Sequence, residues 1–264
     1  MRNIFPGGRV PAAGKTVEQG QAGGIPSEKG IQVSGMRIGG LRRVSFIDYP
    51  GRIGAVVFTQ GCNFRCPYCH NPELADPARY GPLLDEGEIL SFLERRRGKL
   101  DAVTLTGGEP SVQPDLDLFL EKIKKMGYLT KLDTNGSNPA VLETLIRRKL
   151  VDYVAMDIKG PLKRYEEIAS VQVDLSAIRS SIKLLLASEI EHEFRTTVVR
   201  SQLAIDDLRA ITKLLGKARS YVLQPFVPTK TIDDSFLSAT SYSPDEFAAI
   251  CKELERGKLS VVVR

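Results

Sequence analysis

From Ile38 onward, short β-rich runs alternate with amphipathic helical stretches, and this alternation limits the possible folds most. Strand-type runs lie at Ala55–Thr59, Ala102–Thr106, Leu129–Asp133, Tyr153–Asp157, Glu193–Val199 and Tyr221–Pro225, with Leu259–Val263 as a seventh. Helical patterns fall between them, near 86–97, 115–126, 139–149, 175–188, 205–216 and 244–255. Several carry start signals: Asp85, Pro114, Asn138-Pro139 with proline at the first helical position, and Ser243-Pro244-Asp245-Glu246. Such alternation predicts βα units and a parallel sheet. Six units in this length are too few for a closed eight-unit barrel of ~250 residues, which leaves an open doubly wound sheet or a partial barrel. In both, chemistry belongs at the C-terminal ends of the strands.

Residues 1–35 do not share the pattern. They are rich in Gly, Pro and Gln and have no apolar period, so a disordered tail is expected, with Met36 as a candidate start and 36–264 as the folded domain. In the whole chain of 264 residues, 42% are hydrophobic and 26% charged, which excludes a fibrous or wholly disordered protein. The longest apolar runs, such as Ala55–Phe58, fall far short of the ~20 residues of a membrane span. With no secretory-type apolar segment near Met1, the expected location is cytoplasmic, with no membrane partner. A formal charge of +5 is spread over short clusters, Arg95–Arg97, Lys124–Lys125 and Arg147–Lys149, each read as a solvated helix face. No RNA-binding motif accompanies them, which counts against nucleic acid.

Three of four cysteines, Cys62, Cys66 and Cys69, fall just past the first strand run. A disulfide framework does not suit a large cytosolic chain, so C-x3-C-x2-C points to metal or redox chemistry. Soft thiolates at this spacing suit an iron–sulfur cluster or zinc. Cys66–Cys69 is also a C-x-x-C redox pair, Cys66–His70 matches the c-type haem pattern, and His70 offers a Cys3His zinc site. Cys251 sits in the apolar register of the last helix with Phe247, Ile250 and Leu254 and reads as core. A cubane cluster on three cysteines keeps one iron without a protein ligand, and an open position marks a catalytic site by analogy with zinc.

C-x3-C-x2-C with Tyr68 before the last cysteine resembles the radical S-adenosylmethionine (radical SAM) superfamily, whose fold is typically a full or partial (β/α) barrel. That implies an α/β partial (β/α)6 barrel with parallel strands. Thr106-Gly107-Gly108-Glu109-Pro110 is similar to the family's GGEP motif, which holds the methionyl amine of SAM. The chemistry suits this, since glycines admit close backbone approach and a carboxylate suits an ammonium. Asp133-Thr134-Asn135-Gly136 and Met156-Asp157-Ile158-Lys159 resemble the DTNG and D-x-K segments of glycyl-radical-enzyme activases, as does Cys69-His70-Asn71. The resemblance implies that Cys62, Cys66 and Cys69 hold a [4Fe–4S] cluster. It also implies that Tyr68, Gly107, Gly108, Glu109, Pro110, Asp133, Asn135 and Lys159 contact SAM, with Lys159 on its carboxylate. Asp133, Thr134 and Asp157 would line a monovalent-cation site.

Met36–Leu74, with Phe194–Val199 and Leu223–Phe226, resembles the longer activating proteins of anaerobic ribonucleoside-triphosphate reductases. That resemblance implies reductive cleavage of SAM to a 5′-deoxyadenosyl radical and hydrogen abstraction from a glycine on the reductase. A low-potential donor such as flavodoxin or ferredoxin is the implied electron source. No second cysteine-rich insert is present, so no auxiliary cluster is expected. Two other readings stand beside it: the same chemistry on another glycyl radical enzyme, RNA or a small molecule, and a non-catalytic zinc or redox-binding protein. Arg195 is either a surface arginine paired with Glu191 or Glu193 or a ligand for SAM or partner, and His192 is read as structural.

Overall fold

A computed structural model describes residues 35–255 and 259–264. The expected disordered tail, apart from Gly35, lies outside the described residues. Eight strands form one sheet in strict sequence order: β1 (Ile38–Ser45), β2 (Gly54–Thr59), β3 (Ala102–Gly107), β4 (Leu129–Thr134), β5 (Tyr153–Asp157), β6 (Glu191–Val198), β7 (Ser220–Pro225) and β8 (Ser260–Val263). β1 pairs antiparallel with β2, and every later pair is parallel. A doubly wound sheet reverses its strand order at a switch point, and this one never does. The sequential order, open between β1 and β8 among the described residues, is that of a partial barrel.

The helices are α1 (Pro72–Ala75), α2 (Glu86–Arg95), α3 (Leu116–Lys125), α4 (Pro139–Arg147), α5 (Tyr165–Ala169), α6 (Leu175–Ala187), α7 (Ile205–Leu215) and α8 (Pro244–Leu254). Six of them, α2, α3, α4, α6, α7 and α8, complete the six predicted βα units. Asp85 caps α2 through Glu88 N at 2.9 Å, and Ser243 and Glu246 form a reciprocal capping box on α8. Asp115 opens α3 without capping it, because its Oδ2 instead accepts from Gly35 N at 2.8 Å. Among the described residues, no helix is long and apolar enough to cross a membrane.

The period of two along the strands sorts residues onto two faces. Leu105, Leu132, Val154, Met156 and Phe194 are fully buried and join the main core, which includes Phe119, Leu120, Leu145, Ile182 and Ile211 of the helices. The intervening positions, Lys131 and Asp133 on β4, Tyr153 and Asp157 on β5, and Glu193 and Arg195 on β6, share the other face. That inner face is polar and ends in the candidate site.

Candidate functional site

Five consecutive strands contribute to one cavity at their C-terminal ends, about 870 Å³ of free space that is partly open to solvent. Cys62, Cys66 and Cys69 come from the loop after β2, Gly107–Glu109 from β3, Asp133–Asn135 from β4, Asp157 and Lys159 from β5, and Arg195 from β6. All three clustered cysteines line it, and Cys251 does not.

Backbone bonds fix the first two loops against each other. Gly61 N donates to Leu74 O (2.8 Å), Glu109 N to Gly61 O (2.8 Å) and Gly108 N to Thr59 O (2.9 Å). Gly107 holds φ +111°, and a Cβ there would lie 2.6 Å from Thr59 N, so the chain can pass only as glycine. Arg65 braces the cysteine loop by donating to Cys62 O (2.6 Å) and Phe64 O (2.8 Å). Asn63 Nδ2 donates to Ser137 Oγ (2.8 Å) and its Oδ1 accepts from Asn135 Nδ2 (2.9 Å), tying that loop to the one after β4.

Burial pushes the Cys62 thiol up to about 12, with Glu109 adding to the effect, and burial also raises Cys66 and Cys69. The bare thiols therefore hold their protons at neutral pH, and a metal must displace them on binding. Among the described residues, no three His, Cys, Asp or Glu side chains gather round a single point as one metal ion requires. Three thiols that line one cavity fit a polynuclear cluster, where each cysteine takes its own iron.

Glu109 is buried, and burial raises its pKa against three donors: Thr134 Oγ1 (2.7 Å), Asn135 N (2.6 Å) and Ser111 N (3.0 Å). A carboxylate accepts about four hydrogen bonds, so one position remains for a ligand. Deeper in the wall, charges alternate. Lys131 pairs with Asp133, Asp133 with Arg195 (3.3 Å), Arg195 with Asp157 (2.8 Å) and Asp157 with Lys159 (3.1 Å). Burial opposes the ionised Asp157, but Arg195 and Lys159 outweigh it and hold the carboxyl down to about 2. Three cations against two carboxylates leave one positive charge, which suits an anionic ligand group. The carboxylates expected to line a cation site are thus held by Lys131, Arg195 and Lys159, while Thr134 Oγ1 is engaged by Glu109.

Arg195 is not a surface arginine paired with Glu191 or Glu193. It lies partly buried on the inner face, paired with Asp133 and Asp157, and Glu193 is satisfied instead by Tyr153 Oη (3.1 Å) and Arg264. His192 sits near the start of β6, bonded to Ile190 O (2.9 Å) and outside the cavity. His70 Nε2 bonds Val227 O (2.8 Å) and its ring stacks on Phe226 at 5.2 Å. Pro110 follows Glu109 as the first residue of a 3-10 turn and is buried.

Sequence reasoning missed a strap after β7. Residues 226–236 cross the cysteine loop and are pinned there. Arg79 donates to Thr231 O and Ile232 O (both 2.9 Å), Asp233 N donates to Pro67 O (3.0 Å), and Lys230 pairs with Glu73. Phe226 and Phe236 flank Tyr68, each at 6.5 Å between centroids. Beyond Phe226, which closes the Leu223–Phe226 segment, strap residues carry no motif; only their mix of Phe, Val and polar residues after a strand end sets them apart. Lys131 was legible in principle, since it shares strand parity with Asp133.

The family model for the radical SAM superfamily matches residues 56–215, a stretch that includes the cysteines, Glu109, the DTNG and D-x-K segments and Arg195. The chain belongs to the radical SAM superfamily. Its cofactors are therefore those of the family, a [4Fe–4S] cluster and SAM, and the donor set just described fits both. This radical SAM protein is 32% identical over 233 residues to a Methanocaldococcus jannaschii protein provisionally named a glycyl-radical enzyme activating enzyme. That match covers 86% of this chain and 95% of the relative. It is 37% identical over 128 residues to the pyruvate formate-lyase-activating enzyme of Clostridium pasteurianum, covering 47% of this chain and 52% of that enzyme. The structure of SuiB from Streptococcus suis bound to SAM superposes with a TM-score of 0.61 at 12% identity, over 79% of this chain and 51% of SuiB. At that identity the likeness shows the fold alone.

Proposed function

We propose that this radical SAM protein activates a glycyl radical enzyme, and that its target is an anaerobic ribonucleoside-triphosphate reductase. One observation carries the activase reading: the similarity to the Methanocaldococcus protein runs through nearly the whole of both chains. The reductase as target is supported by the sequence resemblance of Met36–Leu74, Phe194–Val199 and Leu223–Phe226.

Cys62, Cys66 and Cys69 are the residues that would hold the cluster. When bound, the cluster and SAM supply one-electron cleavage of the sulfonium and a 5′-deoxyadenosyl radical able to take a glycine hydrogen. This chain's part is binding, orientation and exclusion of water. The free lone-pair position of Glu109 accepts from the SAM ammonium, and the Gly107–Gly108 backbone lets that group come close. Lys159 and the surplus positive charge of the inner wall take the SAM carboxylate. Asp133, Asn135 and Tyr68 complete the contacts, and a monovalent cation could join Asp133, Thr134 and Asp157 only if the Arg195 and Lys159 pairs open. The strap seals one side of the cysteine loop against competing reactions with solvent. A soluble one-electron donor of the flavodoxin or ferredoxin type would reduce the cluster.

The test is an anaerobic EPR spectrum of the reconstituted protein with reductant, SAM and the reductase of the same organism. A glycyl-radical doublet that requires SAM is the expected result. SAM cleavage to methionine and 5′-deoxyadenosine with no doublet would keep the radical chemistry and remove this target.

A further inference from the structure

Tyr68 lies two residues from Cys66, its ring held between Phe226 and Phe236 and only 4% exposed. Its hydroxyl oxygen is sealed from solvent and has no hydrogen-bond partner among the described residues. A buried hydroxyl left unpaired costs free energy, so native structures seldom keep one without a use for it. The ring sits beside the cavity, but the oxygen itself is closed off, so neither water nor a cavity ligand is its natural partner.

Of the ionisable groups around that oxygen, Cys66 acts on it most strongly, ahead of Lys159, Asp157 and Tyr165, and the Cys66 thiol has the Tyr68 hydroxyl as a hydrogen-bonding neighbour. The Lys159 ammonium is a donor only and cannot receive the hydroxyl proton. Each Asp157 oxygen already accepts from a charged donor, Arg195 Nε (2.8 Å) on one and Lys159 Nζ (3.1 Å) on the other, so a neutral hydroxyl adds least there. The Tyr165 hydroxyl points to Asp157 O (3.5 Å). Cys66 remains. A neutral thiol is a weak acceptor, which leaves the hydroxyl unpaired in the bare protein, but a metal-ligating thiolate is a strong one.

We propose that the Tyr68 hydroxyl donates a hydrogen bond to the Cys66 sulfur when that sulfur ligates the cluster, and thereby sets how readily the cluster is reduced. This rests on the assignment of Cys62, Cys66 and Cys69 made above. One electron added to the cluster raises its negative charge and breaks no bond. A donor aimed at a ligand sulfur stabilises that added charge, so it moves the reduction potential upward. Cys62 already has such a donor in Phe64 N, at 3.4 Å. Tyr68 is then a positioning and tuning residue whose hydroxyl has a role distinct from the contact its ring makes with SAM.

The experiment is an EPR-monitored dithionite titration of reconstituted wild type and Tyr68→Phe, without SAM, with SAM affinity measured separately. The expected result is full iron content in both and, without SAM, a more negative midpoint in the variant. Equal midpoints overturn the proposal, and equal midpoints with weaker SAM binding assign the hydroxyl to SAM instead. Should Tyr68→Phe not take up iron, 3-fluorotyrosine placed at position 68 keeps the ring and strengthens the donor. Its midpoint is expected above that of wild type, and no shift overturns the idea. A wild-type protein that binds no cluster at all would sink the cysteine assignment, a separate failure.

Discussion

Replacing Gly108 by alanine tests whether the cysteine loop and the GGEP loop are held in register by backbone contact alone. A Cβ at Gly108 would sit 2.7 Å from the Gly61 carbonyl carbon and 3.0 Å from Leu74 O, and nearer still to Gly61 O. These are backbone atoms and cannot rotate aside. They also carry the Glu109 N–Gly61 O and Gly61 N–Leu74 O bonds, both 2.8 Å. Restoring ordinary contact at roughly 3.5 Å moves one loop by about 1 Å. Overpacking of this kind costs about 1–3 kcal/mol. In a domain of this size that lowers Tm by roughly 2–12 °C. A displacement of about 1 Å within a reacting constellation costs about 10²-fold in rate. Gly61 directly precedes Cys62, so the shift reaches both the cluster ligands and Glu109. The assay is release of methionine and 5′-deoxyadenosine by the reconstituted variant under reductant, beside a thermal melt. Gly81→Ala, where a Cβ meets nothing within 4 Å, is the control and should match wild type. Wild-type SAM cleavage and an unchanged Tm in Gly108→Ala would refute the close-approach argument.

Two further substitutions probe the cluster and its cover. Cys62→Ala should lose the brown colour and bound iron of the anaerobic protein, whereas Cys251→Ser should keep both; iron and sulfide analysis decides. Arg79→Ala removes two charged hydrogen bonds to the strap, worth about 1.5–3 kcal/mol each at most. Faster amide exchange at residues 228–236 and quicker bleaching of the cluster in air are expected, with the iron content at reconstitution unchanged.

The alternation of strand and helix was legible because buried parallel strands read as short apolar runs. Tyr153–Asp157 agrees residue for residue with β5, and Tyr221–Pro225 falls one residue short of β7. β1 was not visible, since IGGLRRVS carries two glycines and two arginines and covers the sheet edge rather than filling the core. The cysteines, Glu109 and Lys159 were legible through spacing and motif, and the structure brings all of them to one cavity. Arg195 was weighed against the wrong partners. Glu191 and Glu193 are its sequence neighbours, but its carboxylates, Asp157 and Asp133, lie one and two strands away on β5 and β4, and only register brings them together. The strap was illegible for a similar reason: Arg79 and Thr231 meet across 152 positions of sequence.

Strict strand order also governs how the protein is made. Each βα unit leaving the ribosome finds its partner strand already formed on the unit before it, so the sheet can grow by accretion from one edge. The cavity cannot. Its walls run from the loop after β2 to β6, so the stretch from Cys62 to Arg195 takes roughly 7–27 s to synthesise at ordinary rates. During that interval the three thiols have no finished pocket around them, and the burial that later raises their pKa and shields them is missing. They are then ordinary, oxidisable thiols on a nascent chain. A window of vulnerability to oxygen therefore opens before the protein holds any iron.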